Sequence, residues 1–391
     1  MKKMILCAWT ALYSICSIGD ASAQQQQRRP VSSFDRPVPS RKTRIQVAIL
    51  LDTSGSMEGL IEQAKSRLWN IINSLSTLRF QGQQPQIEIA LYEYGNDGIP
   101  ASNQYVRMIS PLTTDLDLIS EKLFALRTNG GEEYCGAAIR KATQQLQWSD
   151  SRNDIRLIYI AGNEPFTQGS ISYKDALMLS NNKQISTNTI YCGDYTEGLR
   201  TSWQDGASRG NGEYFNINSN EKIRFVATPY DQEIEQYNDR LNSTYVQYGA
   251  SGAAKKDMQM TQDRNASTVN QSLKVERSIS KSKAAYTNQS WDLVDRMKTD
   301  KGAVKTLEKK YLPKELDGKS EAEIEAYVAA KTKEREAYQE KINTLAKQRQ
   351  AYIDKKTAEN SSGTAQDDLG SAINNSILKL AGKKGYTVDK N

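Results

Sequence analysis

At 391 residues the chain is long enough for two domains, but a mean hydropathy of −0.68 implies that a good part of it packs little. It contains no histidine, which excludes Ser-His-Asp and Cys-His catalysis and any His-containing zinc site. Residues 44–250 carry 18 basic and 24 acidic side chains and residues 251–391 carry 27 and 20; the C-terminal bases are mixed with acids throughout, which argues against a nucleic-acid partner.

Lys2 and Lys3 precede an apolar stretch from Met4 to about Gly19, and Ala21-Ser22-Ala23 follows. This is the layout of a secretory signal peptide over 1–23, cleaved after Ala23. Cys16 follows Tyr13-Ser14-Ile15 and lacks the small residue expected before a lipid-modified cysteine. The expected location is therefore periplasmic or secreted, with no membrane span after signal cleavage. Cleavage leaves Cys135 and Cys192. Two cysteines in an exported protein point to a single disulfide, with two buried free thiols as the alternative. Residues 24–43 are polar, Pro-containing and non-periodic, and read as a flexible linker.

From 44 the pattern alternates strands with helices. Ile45 and Val47–Leu51 form an uninterrupted apolar run, the mark of a strand buried on both faces. The run ends in Asp52-Thr-Ser-Gly-Ser, which places Asp52, Ser54 and Ser56 where parallel sheets bind ligands. One carboxylate and two hydroxyls are hard oxygen donors suited to Mg²⁺, Mn²⁺ or Ca²⁺. The same serines also suit turn and N-cap positions. Helical spacing follows over Met57–Arg79, then a strand at 86–95 and a returning strand at 105–113 that would make one antiparallel edge. Thr114 or Asp115 can cap a helix to about Arg127. A Gly-rich loop, Thr128-Asn-Gly-Gly-Glu-Glu, leads into a helix over about 132–148. Strands at 154–163, 186–193 and 213–217 alternate with helices at 172–184 and 197–210. The expected fold is α/β: a doubly wound, mostly parallel six-stranded sheet with one antiparallel edge strand and helices on both faces.

The segment 44–230 resembles the von Willebrand factor type A domain. The resemblance rests on Asp52-Thr-Ser-Gly-Ser-Met57 directly after a buried strand, on Gly130-Gly131 before Gly136-Ala-Ala-Ile139, and on the strand and loop at 157–165. It resembles in particular a bacterial, exported branch of that family, through IAGNEPFTQG and YCGD. The resemblance implies a metal-ion-dependent adhesion site in which Asp52, Ser54 and Ser56 hold a divalent cation. It also implies that two further loops complete the shell and that an acidic side chain of a protein partner supplies the last ligand. In the second loop Glu132 falls where the family has Thr, with Thr128 nearby. In the third, Asn163 (or Gly162) falls where it has Asp, with Glu164 one residue on. The expected metal ligands are thus Asp52, Ser54, Ser56, Glu132 and Asn163. The topology also places Cys135 and Cys192 at the same sheet edge, where a bridge would brace the second loop.

The type A-like domain is expected to close with a helix ending near 246. Residues 247–290 read as a polar exposed helix or linker. Residues 291–391 read as a helical C-terminal region, with a capping box at Ser320-Glu-Ala-Glu opening a long helix over 321–357 and an amphipathic helix at 370–385. No nucleophile–base pair or P-loop is present, so no enzymatic activity is expected. The leading expectation is an exported, adhesion-type protein-binding module. The alternative is a non-catalytic envelope structural or assembly factor with a vestigial metal site and the helical region as its interface.

Overall fold

The apolar run becomes the central strand. In the computed structural model, which describes residues 42–58, 61–217, 226–360 and 369–388, β1 spans Arg44–Asp52 and is buried along almost its whole length. The expected signal peptide and the linker up to residue 41 lie outside the described residues. In chain order there follow α1 (Ile61–Ser76), β2 (Leu78–Phe80), β3 (Gln86–Tyr94), β4 (Val106–Thr113), α2 (Leu116–Ala125), α3 (Cys135–Gln145), β5 (Ile155–Gly162), α4 (Tyr173–Asn182), β6 (Ser186–Cys192), α5 (Tyr195–Arg200), α6 (Trp203–Arg209) and β7 (Tyr214–Ile217). The sheet order is β4-β3-β1-β5-β6-β7, parallel except for β4. Asp52 pairs with Tyr94 on β3, and Leu51 with Ala161 on β5. Connections from β1 pass first to β3 on one side and later to β5 on the other. The crevice at the β1 carboxyl end is therefore a topological switch point.

Alternation along β1 divides the core in two. Val47, Ile49 and Leu51 join one apolar layer with Trp69, Ile72 and Leu75 of α1 and Ile119 of α2. Ala48 and Leu50 join the other with Ala138 of α3, Leu177 of α4 and Trp203 of α6. The helix expected over 197–210 is broken at Ser202, whose φ of 72° ends α5 before α6 begins.

The expected disulfide is not formed. Cys135 and Cys192 are both buried free thiols. The reason is placement: Cys192 belongs to the α1-side layer and Cys135 to the α3-side layer, so the sheet separates their side chains. Cys135 Sγ donates to Tyr94 Oη at 3.7 Å and Cys192 Sγ to the Ile190 carbonyl at 3.8 Å. Burial pushes both thiols far above their ordinary range.

The rest of the chain adds to the same unit, which runs from Lys42 onward. It supplies α7 (Asp231–Asn242), α8 (Gly252–Val269), α9 (Gln271–Ser282), α10 (Leu293–Thr299), α11 (Glu321–Asn360), α12 (Leu369–Lys383) and β8 (Tyr386–Val388). Residues 247–290, expected to be exposed, pack α8 and α9 against the α1 side, with Ala266, Leu273, Val275 and Ile279 in that core layer. Charge holds this annex as well. Arg277 donates to Asp117 of α2 and to Asp263 of α8, both at 2.7 Å, and Lys281 reaches Asp263 at 2.7 Å. Arg335 of α11 donates to Asp292 at 2.6 Å while its guanidinium lies 4.1 Å from the Tyr245 ring centroid. Finally β8 pairs antiparallel with β2, and Tyr386 meets Phe80 with ring centroids 5.0 Å apart. Lys384 donates to the Asp154 carbonyl at 2.8 Å, beside the start of β5.

Candidate cation site at the ends of β1 and β5

Asp52 closes β1 and is completely buried. Its Oδ1 accepts the Ser54 amide at 2.8 Å, turning the chain at once. Its Oδ2 is buried and has no hydrogen-bond partner among the described residues. A glycine at 162 leaves that oxygen room, since a Cβ there would stand 3.0 Å from Oδ2. Beyond the turn, Ser54 Oγ and Ser56 Oγ are 2.9 Å apart, and Ser56 Oγ donates to Asn163 Oδ1 at 2.9 Å. Asn163 Nδ2 returns a bond to the Ser56 carbonyl at 3.3 Å. The structure therefore brings Asp52, Ser54, Ser56 and Asn163 together as the sequence predicts. Buried Met57 anchors the loop from below.

The second loop is held against the first by backbone bonds. The Asn129 amide donates to the Thr53 carbonyl at 3.0 Å, and Asn96 Nδ2 bridges the carbonyls of Thr53 and Arg127 at 3.2 and 3.0 Å. Gly131 adopts a φ of 137°, and a Cβ there would collide with the Gly95 carbonyl. This crossing sets which acid faces inward. Glu132 is exposed, and it is Glu133 that is buried beside Asp52 and Ser54. Asp52 Oδ1, Glu133 Cγ and Ser54 Cβ lie 2.8, 2.9 and 3.5 Å from the position a Cβ on Gly95 would occupy. Sequence reasoning missed Glu133 by counting forward from Gly130-Gly131. Counting back from the helix that starts at Cys135 would have found it. Thr128 is half-buried.

The electrostatics follow from this burial. Burial pushes the Asp52 carboxyl up to about 6, and the charge of Glu164 adds to the rise, while the Ser54 amide and hydroxyl, and more weakly the Asn163 amide, oppose it. Burial and then the charge of Asp52 push Glu133 up to about 7. No cationic side chain is among the groups acting on either acid. Among the described residues no three His, Cys, Asp or Glu side chains are grouped to hold a metal by themselves. A cation here would rely on hydroxyl and amide oxygens beside carboxylate. The donors present fit one: all are oxygen, and Asp52 offers a buried oxygen without a hydrogen-bond partner among the described residues.

The sheet order, parallel but for one edge strand, is that of a fold like the von Willebrand factor type A domain. Residues 46–224, just under half of the chain, match the family model of the von Willebrand factor type A domain. A comparison with curated proteins found no match. Among solved structures, BatB from Bacteroides thetaiotaomicron is 17% identical, with 44% of this chain and 90% of that chain covered and a TM-score of 0.34. The pilus adhesin SpaC from Lactobacillus rhamnosus GG is 13% identical over 46% and 28%, with a TM-score of 0.35. Proximal thread matrix protein 1 from the mussel byssus, in a structure described as having a zinc-occupied MIDAS motif, is 10% identical over 46% and 43%, with a TM-score of 0.34.

Proposed function

We propose that this protein is an exported, non-catalytic binding module that recognises a partner protein through a divalent cation held by Asp52, Ser54 and Ser56, with Asn163 as a further oxygen. The observation that carries this reading is the unpartnered, fully buried Oδ2 of Asp52 at the head of the Ser54–Ser56–Asn163 chain. A buried polar atom left without a partner is costly, and a cation would satisfy it. Mg²⁺, Mn²⁺ and Ca²⁺ match these donors. When bound, such an ion supplies an electrophilic centre for a carboxylate oxygen of the partner. Asp52 anchors the site, the serine hydroxyls and Asn163 orient it, and the surrounding loops provide selectivity. Catalysis has no support here, because the Ser54 and Ser56 hydroxyls bond to each other and to an amide rather than to a base. The location follows from the signal-peptide pattern over 1–23 and is periplasmic or secreted. Among the described residues no helix is long and apolar enough to cross a membrane.

The test is calorimetric titration of Mg²⁺, Mn²⁺ and Ca²⁺ into the full chain and into Asp52→Ala. One-site binding to the wild type that is lost in a folded D52A protein is the expected result. A wild-type chain that binds none of the three ions overturns the reading.

A further inference from the structure

Eight acidic side chains are buried among the described residues. Six have a cationic partner: Glu93 has Arg107, Asp117 and Asp263 share Arg277, Asp154 faces Arg44, and Asp292 and Asp295 share Arg335. Asp52 and Glu133 have none among the described residues, and they stand side by side, the charge of Asp52 acting on Glu133. Taking a carboxylate out of water without a counter-charge is among the costliest arrangements a fold can hold. Two together, with the fold forced to bring them there, mark a place where the counter-charge comes from outside the chain.

The forcing is visible in the backbone. Gly131 threads past the Gly95 carbonyl at a φ of 137°, and Gly95 itself has a φ of 79°. Both are conformations that L side chains rarely adopt, and both positions leave no room for a Cβ. The Glu133 amide is then steadied by Gln168 Oε1 at 3.3 Å.

We propose that Glu133 is a second carboxylate ligand of the Asp52 site. Asp52 and Glu133 then balance a divalent ion from within the chain, before any partner arrives. This rests on the cation-site reading above and deepens it. The family pattern has Thr in the second loop and Asp in the third; here Asn163 stands in the third loop, and Glu133 restores from the second loop the negative charge that Asn163 lacks.

The experiment titrates Mn²⁺ into the full chain at pH 7.5 and follows free Mn²⁺ by its paramagnetic resonance signal, for wild type, Glu133→Gln and Glu132→Gln. The expected result is affinity at least tenfold weaker in E133Q and within twofold of wild type in E132Q. E133Q binding as tightly as wild type overturns the proposal while leaving the Asp52 site standing. Loss of affinity in E132Q alone overturns it in favour of the other register. Wild type that takes up no Mn²⁺ overturns the cation-site reading and this proposal with it. Circular dichroism of each variant without metal reports folding. If E133Q does not fold, Glu133→Thr, the family residue, carries the same comparison.

Discussion

The helical annex and the loop crown handle buried acids in opposite ways. In the annex Asp263 is nearly as inaccessible as Asp52, yet Lys281 and Arg277 hold its carboxyl well below the ordinary carboxylate range despite burial. In the crown, Asp52 and Glu133 rise to about 6 and about 7 because burial acts with no cation to oppose it. The annex acids tie elements together: Asp117 lies on α2 of the sheet domain, Asp263 on α8 and Arg277 on α9, and the three meet in one cluster. The crown acids tie nothing together. The difference separates charge used as internal mortar from charge kept available for a ligand, and it does so without reference to any relative.

The largest effect should come from breaking the annex. Arg277→Met leaves buried Asp117 without its cation, leaves Asp263 with Lys281 alone, and removes a cation 5.0 Å from the Trp69 ring centroid. A loss of about 3–5 kcal/mol is expected in urea unfolding at pH 7. Stability unchanged in R277M would show that the annex charges are not structural.

Next comes the pH profile of the crown. Asp52 and Glu133 are raised in the folded state, so their protonated forms are the ones the metal-free fold favours. Stability is then greatest below about pH 4 for this pair of groups. It falls as pH rises through about 6 for Asp52 and about 7 for Glu133. The share from Asp52 is on the order of 3 kcal/mol. Urea unfolding in EDTA from pH 4 to 8 should show this decline relative to Asp52→Asn. Saturating Mn²⁺ should reverse it at the upper end, since an ion bound only by the folded state adds stability. A D52N protein with the wild-type profile would remove Asp52 as its cause.

The smallest effect sharpens the comparison by contrast. Arg296 and Asp300 form an exposed pair at 2.9 Å, one turn apart at the end of α10. Arg296→Gln should change unfolding stability by less than about 0.5 kcal/mol. A change as large as that of R277M would mean that burial is not what separates the two classes of ion pair.

Much of the sheet domain was legible because its signals are local. The apolar run of β1, the Asp-x-Ser-x-Ser loop and the helical spacing of α1 each report their own environment. The mostly parallel sheet and its antiparallel edge followed from the alternation of elements. The annex was not legible, because its burial is polar. Gln259, Gln262, Asp263, Arg277 and Lys281 are all buried in α8 and α9, and a reading that equates polarity with exposure takes such helices for linker. Within the site, hydrogen bonds link Ser54, Ser56 and Asn163 beside Asp52, and in the second loop Glu132 is exposed while Glu133 is buried. Gly131 makes the chain cross Gly95, and that crossing, which depends on a neighbouring loop, turns Glu133 inward instead of Glu132. The disulfide expectation failed for a related reason. Two residues at one sheet edge can still lie on opposite faces, and edge position alone does not show which.

The place of β1 has a mechanical consequence. It is hydrogen-bonded on both sides, to β3 and to β5, and runs in one piece from Arg44 to Asp52. Tension between a ligand seated at Asp52 and the chain preceding Arg44 would act along the strand axis. Because both ends of that load lie on one strand, the covalent backbone of β1 carries it, the two flanking ladders keep the strand in place, and the load bypasses the helical annex.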